Sequence, residues 1–170
     1  MSRELFYIIF DTSAGMVGIL GSDIGLLRVT LPQRSEDEVR RLLGGSLNQA
    51  TLSPHRFEDL SGRLVAYFTG YRTDFPDKLD LSAATPFQRA VWQAARVIPY
   101  GETRSYSWVA GQAGNPKAAR ATGQALGANR IPVIIPCHRV IAYNGGLGGF
   151  GDDLEMKKYL LTLEMSDDIR

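Results

Sequence analysis

Ser105-Tyr-Ser-Trp-Val-Ala-Gly-Gln-Ala-Gly-Asn-Pro-Lys-Ala-Ala-Arg-Ala-Thr-Gly-Gln-Ala-Leu-Gly-Ala128 is the stretch that sets the architecture. Ser105 stands where its hydroxyl can cap a short helix over residues 106–112, accepting from a free N–H of the first turn. Gly114 supplies a turn, Asn115 a second cap, and Pro116 the opening residue of another helix reaching about Ala128. Two short helices around a glycine-containing turn read as a helix-turn-helix. Helical hairpins also occur in ordinary cores, so the pattern alone leaves both readings open.

The composition of the second of these helices adds to the reading. Small residues, among them Ala119, Ala121 and Gly123, surround one long cation, Arg120, with Lys117 near the start. A helix that reads base edges in a major groove displays several long polar side chains. This one displays few, but it lets a backbone approach closely, which suits sequence-independent binding in a narrow groove. Arg120 is the one candidate for insertion into a base stack. Tight helix–helix packing is the alternative that the same small residues permit.

Towards the N-terminus, Thr85-Pro-Phe-Gln88 combines an N-cap threonine, a proline at the first helical position and a capping-box glutamine. The helix it starts is expected to bury Phe87, Val91, Ala94 and Ile98 and to stop at Pro99-Tyr-Gly101. Before it, residues 5–10, 17–20 and 26–31 are β-rich runs separated by turn signals. Ser35 caps a helix with Glu36, Asp37 and Glu38 in its first turn, ending at Gly44-Gly45. Residues 59–68 form a further helix with Leu60, Leu64, Tyr67 and Phe68 at core spacing and Gly70 as its stop. His55 reads as a surface loop residue, and residues 71–84, with Pro76 and mixed charge, read as a linker. The expected class is α+β. A mixed N-terminal domain with a small antiparallel sheet and helices, plus the linker, covers residues 1–84. A mostly helical domain covers 85–170.

Towards the C-terminus lies Asn129-Arg-Ile-Pro-Val-Ile-Ile-Pro-Cys-His-Arg-Val-Ile141. A lone cysteine after an apolar run is by default an inert core thiol. If the segment is extended, Cys137 and His138 point to opposite faces, so activation would run through a water or a backbone turn. Pro132 and Pro136 restrict the path of the chain between them. A glycine-rich loop follows and ends at a capping box, Asp152-Asp-Leu-Glu155. On the helix it starts, Lys157, Leu160, Leu161 and Glu164 share a face. Glu164 is therefore a candidate for a carboxylate facing the core, with a solvated end charge as the alternative.

Composition bounds the class. With 44% hydrophobic and 22% charged residues, the 170-residue chain is that of an ordinary globular protein. The apolar run at residues 5–10 is too short for a signal-peptide core or a membrane span. One cysteine permits no internal disulfide, which fits the cytoplasm or, in a eukaryote, the nucleus. One cysteine with two histidines, His55 and His138, does not complete a zinc site without a carboxylate. No metal or cofactor is expected. The net charge is +1, but it is unevenly spread. Residues 1–84 carry nine Lys/Arg against eleven Asp/Glu, whereas residues 85–140 carry seven bases, among them Arg139, against the single acid Glu102. That basic block is a candidate phosphate-facing surface, although solvated arginines on helix faces would give the same tally.

Ile135-Pro-Cys-His-Arg-Val-Ile141 resembles the active-site signature of the O6-alkylguanine-DNA alkyltransferases, also called methylated-DNA–protein-cysteine methyltransferases. The resemblance extends through Thr85-Pro-Phe-Gln88, Ile98-Pro-Tyr-Gly-Glu-Thr103, Ser105-Tyr106, Gly114-Asn-Pro-Lys-Ala-Ala-Arg120, Asn129 and Leu160-Leu161 through Glu164. It spans residues 85–164, and residues 1–84 are similar to the family's N-terminal domain in general layout only. It implies direct-reversal DNA repair, in which Cys137 accepts the alkyl group from O6 of a flipped guanine, or from O4 of alkylthymine, once per molecule. It implies that His138 relays the thiol proton through a water and that Glu164 orients His138. Asn129 would brace the active-site turn, and Tyr106 would donate to the guanine ring. Arg120 would fill the space left by the flipped nucleotide, while Ala119, Ala121, Gly123, Lys117 and Ser105 contact double-stranded DNA through its minor groove. Pro132, Val140, Phe150 and Gly151 would line the substrate pocket of a monomer. One departure stands out: Asp152 and Asp153 replace two glycines usual in the family's binding loop. Rival readings are an alkyltransferase-like protein that binds damage without transfer, a plain helix-turn-helix regulator and a Cys-His-Glu hydrolase. An intact Pro-Cys-His-Arg context argues against the first and the poor base readout against the second. Repeated turnover would distinguish the third.

Overall fold

A computed structural model describes residues 3–142, 145–146 and 154–165. The chain divides into two compact units, one running to Leu81 and the other starting at Ser82. Among the described residues, no helix is long and apolar enough to cross a membrane.

In the first unit, β1 (Leu5–Thr12) and β2 (Gly15–Ser22) form an antiparallel hairpin, and β3 (Leu26–Val29) pairs antiparallel with β2. A fourth strand, β4 (Ala50–Leu52), pairs in parallel with β1, so the sheet is mixed, in the order β3-β2-β1-β4, and not purely antiparallel as expected. Three residues carry too little alternation to announce a strand. Alternation in β2 separates two faces. Leu20 packs with Val39 and Leu43 of α1 (Glu36–Leu43). A side chain at Gly18 would bring its Cβ within 2.4 Å of Val39, so glycine permits the close seating of α1 on the sheet. Gly21 turns to the other face, toward Phe57, which immediately precedes α2 (Glu58–Thr69). The Ser35 hydroxyl caps α1 by accepting from Glu38 N, and left-handed Gly70 ends α2. His55 is exposed, on a short 3-10 turn.

Residues 71–84 are not a free linker. Leu26 N donates to Lys78 O at 2.9 Å and Asp80 N to Leu26 O at 2.8 Å, so this segment extends the sheet edge by backbone pairing. Asp80 is buried, accepts from Ser22 Oγ at 2.5 Å and pairs with the Arg3 guanidinium.

The second unit is built on α3 (Pro86–Arg96), α4 (Tyr106–Gln112), α5 (Ala119–Gly127) and α6 (Leu154–Glu164). Thr85 and Gln88 complete the capping box on α3. That helix buries Val91, Trp92, Ala94 and Ala95, while Phe87 is only half-buried. Ser105 caps α4 by accepting from Trp108 N at 3.0 Å. The next helix starts three residues later than Pro116. Asn115 Oδ1 accepts from Lys117 N and Asn115 O from Ala118 N, so residues 115–118 close a turn of their own before α5 begins.

Candidate active site

Position is set first by two short strands and one indole. β5 (Arg104–Ser105) and β6 (Val140–Ile141) pair in parallel, which brings the start of α4 beside the residues that follow Cys137. The Trp92 indole N–H donates to Ala125 O at 2.8 Å and fixes α5 on α3. Thr122, Ala125 and Leu126 form the buried stripe of α5, which leaves Arg120, Ala121, Gln124 and Gly127 exposed. Ala119 and Gly123 sit at the edge of that face, and a Cβ on Gly123 would lie 3.8 Å from the Tyr106 ring. Lys117 is exposed at the turn before the helix, while Ser105 is half-buried and occupied as a cap.

Cys137–Arg139 is a 3-10 turn, not an extended segment. Val133, at φ 74°, holds the left-handed backbone in the approach to it, a conformation costly for a β-branched residue. Pro132 and Ile135 form a bridge across this bend. Asn129 braces both sides of the bend: its Nδ2 donates to Ile135 O at 3.0 Å and to Cys137 Sγ at 3.2 Å, and its Oδ1 accepts from Ile131 N at 2.8 Å. Burial pushes the Cys137 thiol upward. Against it work the Asn129 hydrogen bond, the charge of Lys157 and backbone hydrogen bonds at Cys137 and His138.

Behind the thiol, Glu164 gathers four donors. His138 Nε2 lies 2.6 Å from Oε2, Arg139 Nε 2.7 Å from Oε1, Arg139 Nη2 3.0 Å from Oε2, and Gly101 N 3.2 Å from Oε1. The third guanidinium nitrogen, Nη1, donates to Ile98 O at 2.8 Å. Burial opposes ionisation of Glu164, but the hydrogen bonds and charges of His138 and Arg139 outweigh it and hold the carboxyl well below the usual carboxylate range. His138, fully buried, is pushed below its ordinary value by desolvation, against the pull of Glu164. A neutral imidazole beside a permanent carboxylate donates from Nε2, which leaves Nδ1 as the basic nitrogen. The arrangement can take up a proton on His138 and stabilise the resulting cation with Glu164.

The structure thus brings together Cys137, His138, Glu164 and Asn129, with Val140 buried directly after the turn, while Tyr106 follows Ser105, the residue paired with Ile141. Phe150, Gly151, Asp152 and Asp153 lie outside the described residues. Arg139 corrects the reading of the basic block: it is buried and engaged with Glu164, so it belongs to the interior and not to a phosphate-facing surface. Arg104 of the same block pairs with Glu102 at 2.9 Å. Lys157, buried on the same stripe as Leu160 and Glu164, received no role from sequence. Its period on α6 was visible, but nothing local indicates that an amine occupies an interior position.

Residues 86–166 match a family model described as the DNA-binding domain of 6-O-methylguanine DNA methyltransferase. The chain is 40% identical to a methylated-DNA–protein-cysteine methyltransferase of Mycolicibacterium paratuberculosis, over 93% of this chain and 91% of that one. It is 39% identical to a protein of the same name from Methanosarcina acetivorans, over 95% and 99% of the two chains. Among solved structures, Mycobacterium tuberculosis OGT in complex with DNA is similar, with a TM-score of 0.78 and 40% identity over 94% of this chain and 92% of that one.

Proposed function

The chain belongs to the methylated-DNA–protein-cysteine methyltransferases, and on that basis we propose that Cys137 Sγ takes an alkyl group from O6 of guanine in double-stranded DNA, once per molecule. The observation that carries this reading is the buried line from Cys137 through the adjoining His138 to Glu164, with Asn129 holding the sulfur. Displacement at an sp³ carbon needs a soft, ionised nucleophile, and a thiolate serves. The thiol proton passes through a water to Nδ1 of His138, and Glu164 stabilises the imidazolium. The S–C bond forms as the C–O6 bond breaks, with its electron pair moving into the purine. The Tyr106 hydroxyl donates to a ring nitrogen and so helps the base leave without full negative charge. The product is a thioether, which has no easy hydrolytic route back to the thiol. O4-alkylthymine presents the same alkyl–oxygen bond and is a second substrate.

O6 lies within the duplex, so the nucleotide is flipped out before reaction. The exposed face of α5 suits a minor groove: Ala121 and Gly127 let the backbone approach, Ala119 and Gly123 flank it, and Arg120 enters the stack in place of the flipped base. Lys117 contacts phosphate, and Ser105 orders the start of α4 and with it Tyr106. Pro132 and Val140 line the pocket that receives the flipped base. The protein works as a monomer, in the cytoplasm or a nucleus. Binding without transfer is the alternative, and an intact thiol braced by Asn129 weighs against it. Single-turnover reaction with an O6-methylguanine duplex, followed by peptide mapping, tests the assignment. The expected result is one methyl on Cys137, and a methyl on any other residue, or none, contradicts it.

A further inference from the structure

Of the exposed residues of α5, Arg120 and Gln124 alone have side chains that reach beyond Cβ. Flipping employs Arg120 and makes no use of Gln124. Gln124 nevertheless occupies the middle of the exposed face. The residues at i−4, i−3, i+3 and i+4 from it are Arg120, Ala121, Gly127 and Ala128, and all four are exposed. Three of these neighbours are alanine or glycine, so a surface that approaches this face closely meets the Gln124 carboxamide. Among the described residues, no group hydrogen-bonds that carboxamide. Gly123, one residue earlier, is where α5 passes Tyr106: a Cβ there would lie 3.8 Å from its ring. Gln124 is thus one residue from the contact with the tyrosine assigned to the flipped base.

Every base pair presents acceptors on the floor of the minor groove, whereas only a G·C pair adds a donor, the guanine N2 amino group. A guanidinium can only donate, so Arg120 cannot accept from that group. A carboxamide also carries a carbonyl oxygen and can. Taking alkyl transfer and minor-groove binding through α5 as given, we propose that Gln124 is a specificity-determining residue. Its carboxamide oxygen accepts from the N2 amino group of a guanine flanking the lesion, so that repair is faster beside a G·C pair. Four helical residues advance about 6 Å, on the order of two base steps at about 3.4 Å each. The pair that Gln124 reads therefore lies within about two steps of the nucleotide that Arg120 replaces.

Inosine isolates this contact, because an I·C pair differs from G·C only in lacking the N2 amino group. Single-turnover transfer is measured on duplexes that carry one O6-methylguanine and, one to three steps away on either side, a G·C or an I·C pair. At one of these positions the wild type should react about three- to tenfold faster with G·C, the scale of one net hydrogen bond. Gln124→Ala and Gln124→Met should both bring that ratio to about one, whatever their rates with I·C. Comparing ratios cancels the different deformability of the two duplexes, which wild type and variants meet alike. A wild type indifferent to the amino group at every position, or a preference that persists in Gln124→Ala, overturns the proposal. A preference kept by Gln124→Met assigns the effect to side-chain bulk and overturns it too. If no duplex yields methylcysteine, it is the alkyltransferase reading that fails. The G·C-to-I·C ratio of dissociation constants, measured for Cys137→Ser with and without Gln124→Ala, then still decides the role of Gln124.

Discussion

The exposed face of α5 and the buried cluster behind Cys137 belong to the same unit, yet they are held in different ways. The α5 face depends mostly on neighbours in sequence, a turn at residues 115–118 and small residues at helical spacing, with one long-range clamp from the Trp92 indole, 33 positions from Ala125. The cluster depends on residues far apart, with Glu164 joined to Arg139 and His138 across 25 and 26 positions and to Gly101 across 63. Solvent reaches the exposed side chains of the first and can replace a partner lost there. Nothing replaces a partner lost from the second, because a buried charge without its counter-charge carries its full desolvation penalty. Change on the α5 face should therefore alter function alone, whereas change in the cluster should alter function and stability together.

Glu164→Ala is the most severe way to probe that contrast. It leaves the Arg139 guanidinium and His138 buried without their carboxylate, so unfolding free energy should fall by about 3–5 kcal/mol. Transfer should slow by about 100-fold or more, the usual scale for a lost proton-transfer system. Urea denaturation and a single-turnover rate measure the two effects, and retention of either within error breaks the account of the cluster. Acid titration reaches the same bond without mutation. Because folding lowers the Glu164 carboxyl, its contribution is complete above the ordinary carboxylate value of 4.5 and is lost as pH falls toward the folded value far below. Stability of the wild type should therefore decline below about pH 4.5 more steeply than that of Glu164→Gln, by denaturation at stepped pH. Lys157 contributes in the opposite region: its folded value of about 8 lies below the ordinary 10.5. The cost of burying its charge is present below pH 8 and fades between those values, adding stability there.

On the other side of the comparison, Arg120→Ala should leave stability within about 0.5 kcal/mol of wild type, as for an ordinary exposed position. It should slow repair of duplex DNA by roughly 10–100-fold, which corresponds to about 1.4–2.7 kcal/mol of lost transition-state stabilisation. Reaction with free benzylguanine, which needs no flipping, should be unchanged. Equal slowing of both substrates would remove Arg120 from the flipping step. The smallest effect belongs to a local cap away from both regions. Thr85→Ala removes a capping-box hydroxyl that accepts from Gln88 N at 3.1 Å. It should lower stability by about 1 kcal/mol with no change in transfer rate per folded molecule.

This division also explains what the sequence revealed. Ser35, Thr85 and Ser105 each cap a helix within three residues of themselves, so their role can be read from local order. Asn115 was legible as a cap, but its carboxamide closes the turn ahead of α5, and the helix starts late. The parallel strand β4 and the edge pairing at Lys78 and Asp80 are defined by distant backbone partners, and no periodicity announces them. Arg139 looked like one cation in a basic block because sequence records its charge and not its burial. Cys137, His138, Asn129, Tyr106 and Glu164 could be assembled only through the family's motif order. By residue chemistry alone the cysteine would have been an inert core thiol, and Glu164 open to solvent. Lys157 had the right spacing, but only the packing shows its amine buried against Val140 O, just after the nucleophile's turn.

The central claim is that Cys137 is a one-use acceptor, and intact-protein mass spectrometry after incubation with an O6-methylguanine duplex tests it most directly. The wild type should gain the mass of one methyl and no more at any excess of DNA, and Cys137→Ser should gain nothing. No gain on the wild type, an undiminished gain on Cys137→Ser, or continued loss of O6-methylguanine beyond one equivalent would contradict it.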